Sequence, residues 1–509
     1  MVSTFHGLET AKRGMNAQQA ALYTVGHNIA NADTPGYTRQ RVDFVQTTPY
    51  PFISKNAPKI PGHIGTGVSA GNIVRVREAF LDLQFRGENN KYGYYGSKAA
   101  ALGKMEEILN EPTEEGLSKA FDLFRDKLQD LAKDSQHSGA REVVLAQANA
   151  LADTFHYLSS SLNNVRDNYS NEIDIAVKSI NSLTDRLNSI NERIGEAEPH
   201  GYLPNDLYDE RDRLLDELSQ LVNIKVTPVK SGGNALDIAE GKYTIEIIDK
   251  NNTSIGTLVD GQNLTKNDVS LSKNTMDGFI TTIDIGGNSV KADAFADGVL
   301  KGLVEAYGYE STTGDKVGLY PDMLDKLDKI AFAFVKEFNL THRQGKQKDG
   351  NTLGGDFFED ITVEKGAAQN IKVLITDPSE IAAAADTGTI NPGDGTNAGL
   401  LGEVVYKDFT GFGSGNNPSN LTGNIKTFYQ GVVGSLGVDA KQMNLLANST
   451  DQTRQAVELR RNSISSVSLD EEMTNMIKFQ HAYNAAARNI TMIDEMLDRI
   501  INGLGVGGR

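Results

Sequence analysis

Apolar residues near the start of the chain recur at alternating three- and four-residue intervals, which is typical of a helix that packs along one narrow seam. The pattern predicts a helix over roughly residues 4 to 31, and its seam contains Phe5, Leu8, Ala11, Met15, Gln18, Leu22, Val25 and Ile29. Three glycines interrupt the helix, and each costs about 1 kcal/mol relative to alanine. They are Gly7, Gly14 and Gly26. We therefore expect a helix that is marginal alone and needs a partner.

Turn-forming residues end this seam in the segment NIANADTPGY, residues 28–37. Thr34-Pro35-Gly36-Tyr37 suits a type II turn, with proline second and glycine third. The proline also disfavours helical geometry at Thr34, and Asn and Asp side chains suit local bonds to the backbone. The segment YTRQRVDF that follows predicts an extended strand. We interpret the segment as a hinge built from Asn28, Asn31, Asp33, Pro35, Gly36 and Tyr37.

The hydrophobic period changes twice in the middle of the chain. It is helical from about residue 95 to 225, of the β type in 226–297, and helical again afterwards. We predict a long-helix bundle domain with mixed loops from residues 61–225 and 298–459, and a small inserted β domain, 226–297, on its distal side. The predicted fold class is mainly α with an inserted β domain, a multidomain α+β protein.

The last helical segment carries a second seam. It contains Leu469, Met473, Met476, Gln480, Tyr483, Ala487, Ile490, Ile493, Leu497, Ile500 and Leu504. Each seam includes one glutamine, and a polar seam residue can fix register and partner choice. We predict that residues 1–60 and 460–509 form a terminal coiled-coil assembly domain, with the chain running out and back as a rod. The alternative is two ordinary amphipathic helices on a globular core.

Composition narrows the classes of function. The 509-residue chain has a net charge of −17, which argues against binding to nucleic acid or to an anionic membrane surface. It has no cysteine, which excludes disulfides and thiolate chemistry. It shows no cleavable signal peptide and no apolar run of about 18 residues. The absence of cysteine suits either a cytosolic protein or one exported unfolded.

The two ends together resemble a known family. ALYTVGHNIANADTPGYTRQRV resembles the N-terminal signature of the bacterial flagellar axial proteins, which are the rod, hook and hook-associated proteins. SVSLDEEMTNMIKFQHAYNAAARNITMIDEMLDRIINGLG resembles their C-terminal signature. The segments YTRQRV and NDLYDERDRLLDELSQLVNIKV, with the helix-rich middle, are similar to a hook-associated member at the hook–filament junction.

The resemblance implies a structural subunit with no cofactor and no metal. Such subunits form a ring whose neighbours are copies of the chain, hook protein on one side and hook-associated protein 3 on the other. They are exported through the flagellar type III apparatus without a cleaved signal, with a chaperone at the C-terminal helix. Their terminal regions are disordered in the monomer. The expected location is extracellular, at the hook–filament junction, and the working residues are the hinge and Phe5, Leu8, Met15, Leu22, Val25, Ile29, Met473, Met476, Tyr483, Ile490, Leu497 and Ile500.

Several motifs have a chemical interpretation and a simpler structural one. The GTG at 65–67 lacks the spacing of a phosphate loop and predicts a tight turn. No histidine pair has zinc-binding spacing. The acidic cluster of 206–217 is interpreted as a solvated helix face, with Asp209 paired to Arg213 and with Leu207, Leu214, Leu218 and Leu221 buried. A basic group is interpreted as a contact for acidic neighbouring subunits, and it contains Arg39, Arg41, Arg75 and Arg77.

Two other functions stay open. The chain could be another axial protein, such as hook or distal rod protein. Less favoured is a glycan hydrolase, which would need two carboxylates flanking a cleft. Nothing in residues 346–425 marks such a pair.

Overall fold

The computed structural model describes residues 4–51, 55, 62–109, 116–387, 393–409 and 421–503. The helices are α1 (Thr4–Ala30), α2 (Ala79–Leu109), α3 (Leu117–Lys133), α4 (Ser138–Ala197), α5 (Asn205–Leu221), α6 (Val299–Tyr307), α7 (Leu319–Arg343), α8 (Ala367–Asn370), α9 (Thr396–Glu403), α10 (Ile425–Ser465) and α11 (Leu469–Gly503). The strands are β1 (Gln40–Gln46), β2 (Val68–Arg75), β3 (Ile224–Val229), β4 (Lys242–Ile248), β5 (Ser254–Asp260), β6 (Thr265–Lys266), β7 (Val269–Lys273), β8 (Ile280–Ile285), β9 (Asn288–Val290), β10 (Tyr309–Glu310), β11 (Lys316–Val317), β12 (Gly345–Lys346) and β13 (Ala384–Ala385).

The bundle is organised by α4, whose 60 residues form a rod about 90 Å long. Its buried residues follow the seam expected from sequence, including Leu162, Ile180 and Ile194. Near the start of α4 an aromatic cluster joins α3 to α7 through edge-on ring contacts. Its members are Phe121, Phe124, Phe155, Phe334 and Phe338. The apolar face of α4 is thus the surface on which α3 and α7 pack.

The β insert consists of two sheets packed along the second half of α4. One is antiparallel with the order β3-β4-β5-β6, and the other has the order β11-β10-β8-β7 with β9 paired to β8. Tyr309 of β10 pairs in parallel with Ile280 of β8, so the second sheet extends past the predicted boundary at residue 297. One continuous apolar core joins the sheets to the bundle. The pattern located the insert but not these late strands, because each contains two residues.

The chain leaves and re-enters the bundle through α2 and α10, which lie side by side and antiparallel. The Arg461 guanidinium stacks on Phe85, and Arg454 stacks on Tyr92 one level further along. A side chain at Gly437 would approach Glu106. This pair connects the bundle to both terminal segments at one end of the molecule. The out-and-back path therefore brings both termini to the same end.

The observed class is mainly α with an inserted β domain, and this confirms the fold predicted from sequence. Several predictions fall on residues outside the described ranges. They concern residues 1–3 and 504–509 of the terminal domain, including Leu504, and residues 52–54 and 56–61 between β1 and β2. No helix in the described part of the chain is long and apolar enough to cross a membrane.

Candidate assembly interface

The two terminal helices, α1 and α11, pack against each other in antiparallel orientation. At one end the Asn28 amide donates to the Glu472 carboxylate across 3.1 Å. Near the other end, a Cβ at Gly7 would lie 3.3 Å from Ile493 Cδ1. The two helices therefore run alongside each other for most of the length of α1. We call them the terminal pair.

The predicted seam residues fall into two groups. Val25 is buried, and Leu8, Met15, Leu22, Ile29, Met476, Tyr483, Ile490 and Leu497 are half-buried. Phe5 is 64% exposed, and Met473 and Ile500 are 58% and 44% exposed, so these methionine and isoleucine side chains lie largely outside the contact within the chain. Gln480 is exposed, and its prediction as a seam residue is wrong. Phe479 is half-buried in its place.

A hairpin of β1 and β2 covers a second face of α1. This face consists of Ala17, Ala21 and Thr24, all buried. The Phe44 ring of β1 lies 6.0 Å from Phe479 of α11, measured between centroids. The GTG segment, 65–67, immediately precedes β2 but does not form the predicted tight turn, and a Cβ at Gly67 would meet Thr10 of α1. The hairpin therefore contacts both helices. The strand β1 was expected from sequence, but its pairing with β2 and its position on α1 were not.

The hinge lies at the end of the terminal pair where α1 ends and α11 begins, and we call this end the base. After α1 ends at Ala30, Tyr37 N donates to Thr34 O across 3.1 Å, and Gly36 takes a φ of +82°. This is the predicted turn, since a positive φ at its third residue favours glycine. Asn31 caps the end of the helix by donating to His27 O. Asp33 and Pro35 are exposed. The chain thereby reverses into β1.

Asn28 is the centre of a buried hydrogen-bond network at this base. Its amide nitrogen donates to Gln40 O at 2.8 Å as well as to Glu472. Its oxygen accepts from Tyr37 Oη at 2.8 Å and from Gln40 N at 3.0 Å. Because all four bonds are made in a buried site, any exchange of Asn28 leaves unsatisfied groups. One side chain thus joins α1, the hinge, β1 and α11.

Arg39, which immediately precedes β1, also contacts α11 at the base. Its Nε donates to the buried Glu472 at 2.8 Å, and its Nη1 donates to Glu471 at 2.6 Å. Its backbone N donates to Ser465 O at the end of α10. Charge-assisted bonds of this kind are stronger than neutral ones. Arg39 therefore fixes the point at which α10 passes into α11.

Behind the base, α5 contributes to a central ion cluster. It consists of Arg75, Arg77, Arg86, Arg211 and Arg461 with Asp82, Asp209, Asp212, Asp216 and Glu240. The positive and negative groups balance one another. Burial would raise the pKa of Asp212, but Arg77, Arg75 and Arg86 outweigh it and hold that pKa below its usual range. Burial raises the pKa of Asp209, despite its bonds to Arg75 and to Thr38 N.

The cluster overturns two sequence interpretations. Asp209 and Asp212 are buried rather than part of a solvated face, and Arg213 pairs with Glu217 instead of Asp209. Arg75 and Arg77 are buried within this chain and are not a surface for acidic neighbours. The arginines that neutralise α5 come from β2, α2 and α10, which no local pattern could show. The leucines were predicted better, since Leu214 and Leu218 are buried and Leu207 and Leu221 are half-buried.

The region around the central ion cluster contains a cleft that could be considered as a ligand site. A cleft of about 940 Å³ opens between α2 and β3, with Arg75, Asp212 and Glu240 among its lining residues. These ions already pair with one another, so the cleft presents no net charge to a ligand. Among the residues that the structure describes, no group of His, Asp or Glu side chains is placed to hold a metal ion.

Comparisons with known proteins point to one family. Residues 102–358 match the family model described as the flagellar hook-associated protein FlgK helical domain. Residues 461–503 match the flagellar basal body rod FlgEFG protein C-terminal model, and residues 8–38 match the flagella basal body rod protein model. The terminal pair and the hinge thus match models shared with rod proteins, and the bundle matches a more specific one.

Whole-chain relatives agree with these models. The chain is 46% identical to flagellar hook-associated protein 1 of Bacillus subtilis, over the full length of both chains. It is 24% identical to the protein of the same name from Salmonella typhimurium, covering 97% of this chain and 98% of the relative. The solved flagellar hook junction protein FlgK of Burkholderia pseudomallei matches 76% of this chain and all of its own, with a TM-score of 0.59. At 13% identity, that match shows the fold alone.

Proposed function

The chain belongs to the family of flagellar hook-associated protein 1, and on that premise we propose that it forms a ring of subunits between hook and filament, held by its terminal pair. Members of this family are structural proteins of the flagellum. The antiparallel packing of α1 on α11 carries the proposal, because it presents both ends of the chain as one assembly element.

The outward side of the terminal pair supports contact with neighbours. Met473, Met496 and Ile500 of α11 are exposed, and so is Tyr23 of α1. Rows of exposed apolar side chains on a soluble subunit mark surfaces that are covered in an assembly. We assign the half-buried seam residues to contact within the subunit and these exposed residues to contact between subunits. Methionine suits such contacts because its side chain adapts to several partners.

The partners follow from the place of the ring. One side would meet hook protein and the other hook-associated protein 3, while the ring itself joins copies of this chain. The matches of residues 8–38 and 461–503 to rod-protein models support stacking of like termini through the axial structure. Before assembly, an export chaperone would cover the C-terminal helix, whose apolar residues are otherwise exposed.

Catalysis has no part in the proposal. The buried carboxylates of the central ion cluster are paired with its arginines and are not free to act on a substrate. The location would be extracellular, after export in an unfolded state without a cleaved signal. Terminal helices that order only on assembly suit that route, because ordering then offsets its entropic cost with intersubunit contacts.

A deletion strain tests the proposed place in the flagellum. Cells lacking the chain should build complete hooks, carry no filaments and release flagellin into the medium. Labelled protein restored to these cells should appear by electron microscopy at the tip of the hook. Missing hooks would indicate a rod or hook protein instead, and normal filaments would refute a junction role.

A further inference from the structure

One exposed face of α10 carries no charge. In residues 442–459, all of which the structure describes, every exposed residue is uncharged, and the charged side chain that reaches solvent most is that of the half-buried Glu458, 42% exposed. Leu445 and Leu459 are 62% and 71% exposed, and the other exposed residues are amides, hydroxyls and one alanine. Charged residues make up 23% of the whole chain, and they normally concentrate on exposed helix faces. A helix face of this length without one is therefore unusual.

The charged residues of this segment lie on a different side of α10. Asp451, Arg454 and Glu458 are half-buried along the side that faces α2. Arg454 bonds Asp451 at 2.8 Å, lies 3.8 Å from Glu458 and stacks on Tyr92. The exposed surface of α11 differs, since it carries Glu471, Lys478 and Arg488 among others. The uncharged face belongs to α10 and is not a general property of the helices near it.

We propose that the 442–459 face of α10 contacts a second copy of this chain in the assembled flagellum. This inference rests on the proposed assembly function and adds a second contact to the terminal pair. The centres of protein interfaces are depleted in charged residues and retain apolar and amide groups. The face shares the depletion in charge, and its exposed leucines, Leu445 and Leu459, lie among amides and hydroxyls.

Charge favours a copy over another partner. Copies with a net charge of −17 repel one another, and an uncharged face adds nothing to that repulsion when it meets a different surface of the next copy in a ring. A basic partner would gain more from the acidic surfaces of this protein than from an uncharged face. A second copy is thus the partner for which the missing charge gives an advantage.

Size and position explain why the contact belongs to the assembly. The face extends about 27 Å along one helix of about 10 Å width. That is far less than the roughly 800 Å² per partner of a stable interface, so the free chain should remain a monomer. Once the terminal pair holds subunits together, the high local concentration makes such a weak contact effective. The chain passes from α10 to α11 within Ser466–Ser468, so both contacts lie on consecutive helices.

A photo-crosslinking residue at Leu445 tests the partner in cells that build flagella. Ile175 of α4 provides the matched control, because it is apolar, is also 62% exposed and lies beside Asp174. We expect an adduct of two copies from the probe at Leu445, much less from the probe at Ile175, and none from dilute purified monomer. An adduct with hook protein or a chaperone, or no adduct from protein that is present at the hook tip, would overturn the inference alone. Absence of the chain from the hook tip would overturn the proposed function as well.

A second measurement uses matched substitutions. Leu445→Asp should leave the melting temperature of the monomer unchanged and lower the fraction of cells with filaments by several-fold. Ile175→Asp, which introduces the same charge at an equally exposed site, should leave that fraction near the wild-type value. Equal effects of the two variants would contradict a contact at this face.

Discussion

At the scale of single residues, Asp212 shows why this fold depends on charges that the surface does not reveal. Its buried carboxylate lies within 3.1 Å of guanidinium nitrogens of Arg75, Arg77 and Arg86. These arginines belong to β2, to α2 and to the segment between them, so one carboxylate joins the hairpin to the bundle. Removing one member of a buried ionic group leaves the others uncompensated.

We predict that Asp212→Asn lowers the free energy of unfolding by about 3 to 5 kcal/mol, because three buried guanidinium groups lose a shared counterion. Urea unfolding followed by circular dichroism measures this. Asp206→Asn is the control from the same helix, since Asp206 is exposed, and it should change stability by less than about 0.5 kcal/mol. Similar losses in both variants would show that the cluster does not stabilise the fold.

The sequence could not identify this role of Asp212. Its neighbours on α5 suggested local pairs four residues apart, which are common on solvated helices. Its actual partners are separated from it by more than a hundred residues, and only the folded topology brings them together. The leucines of the same helix were predicted more accurately, because helical periodicity alone decides which side of a helix is apolar.

His342 is a second buried polar residue, and its protonation state is fixed by its bonds. Its Nδ1 lies 2.8 Å from Gly355 O, and its Nε2 accepts from Ala382 N at 2.8 Å. Only a neutral imidazole can make both bonds. Burial accordingly lowers its pKa from the usual 6.5. The ring connects α7 to the long loop that follows it.

We expect this histidine to make stability depend on pH. Below about pH 6.5 the unfolded chain takes up a proton that the folded chain refuses, so the stabilisation is complete above that pH and is lost as pH falls. The loss between pH 6.5 and 5.5 should be at most about 1 kcal/mol. Urea unfolding of wild type and of His342→Gln over this range measures it: the advantage of wild type should shrink toward acid pH. A constant difference between the two proteins would contradict the assignment.

At the scale of elements, α1 is a weak helix with room to be strengthened. A Cβ at Gly14 or Gly26 would meet nothing within 4 Å, whereas one at Gly7 would approach Ile493. Two of the three glycines therefore serve no packing purpose within the chain. Their effect is to reduce helix stability, as the sequence suggested.

Replacing both open glycines tests whether that weakness matters. Gly14→Ala with Gly26→Ala should stabilise α1 by about 1 kcal/mol per site. In limited proteolysis of dilute monomer, the wild type should lose roughly its first and last 40 residues, and the variant should lose them more slowly. If wild-type ends resist cleavage as well as the bundle does, the terminal helices are not weak in the monomer.

The terminal elements also show how far periodicity can specify an interface. Several predicted seam residues of α11 are half-buried, among them Met476 and Tyr483, but Gln480 is exposed and Phe479 is half-buried in its place. The half-buried residues Met476, Phe479 and Tyr483 keep the alternating spacing of three and four residues. The Phe44 ring on β1 contacts Phe479, and its position depends on a hairpin that the seam pattern does not encode.

At the scale of the whole molecule, the chain begins and ends in the same pair of helices. It leaves the terminal pair through the hinge and the β1–β2 hairpin, continues through α2 into the bundle and β insert, and comes back through α10 to α11. The sequence predicted this path because paired ends and a change of period are long-range features visible in one chain. The hydrogen bonds of Asn28 and Arg39 to Glu472 at the base could not be predicted, since these residues are separated by most of the sequence.

The most direct test of the account is an electron cryo-microscopy structure of isolated hook–filament junctions. The account predicts that α1 and α11 of one subunit lie antiparallel in the assembled ring, with Asn28 beside Glu472 and with Met473 and Ile500 turned toward neighbouring subunits. Terminal helices that are separated from each other in the ring, or that face solvent while the bundle forms the contacts, would contradict it.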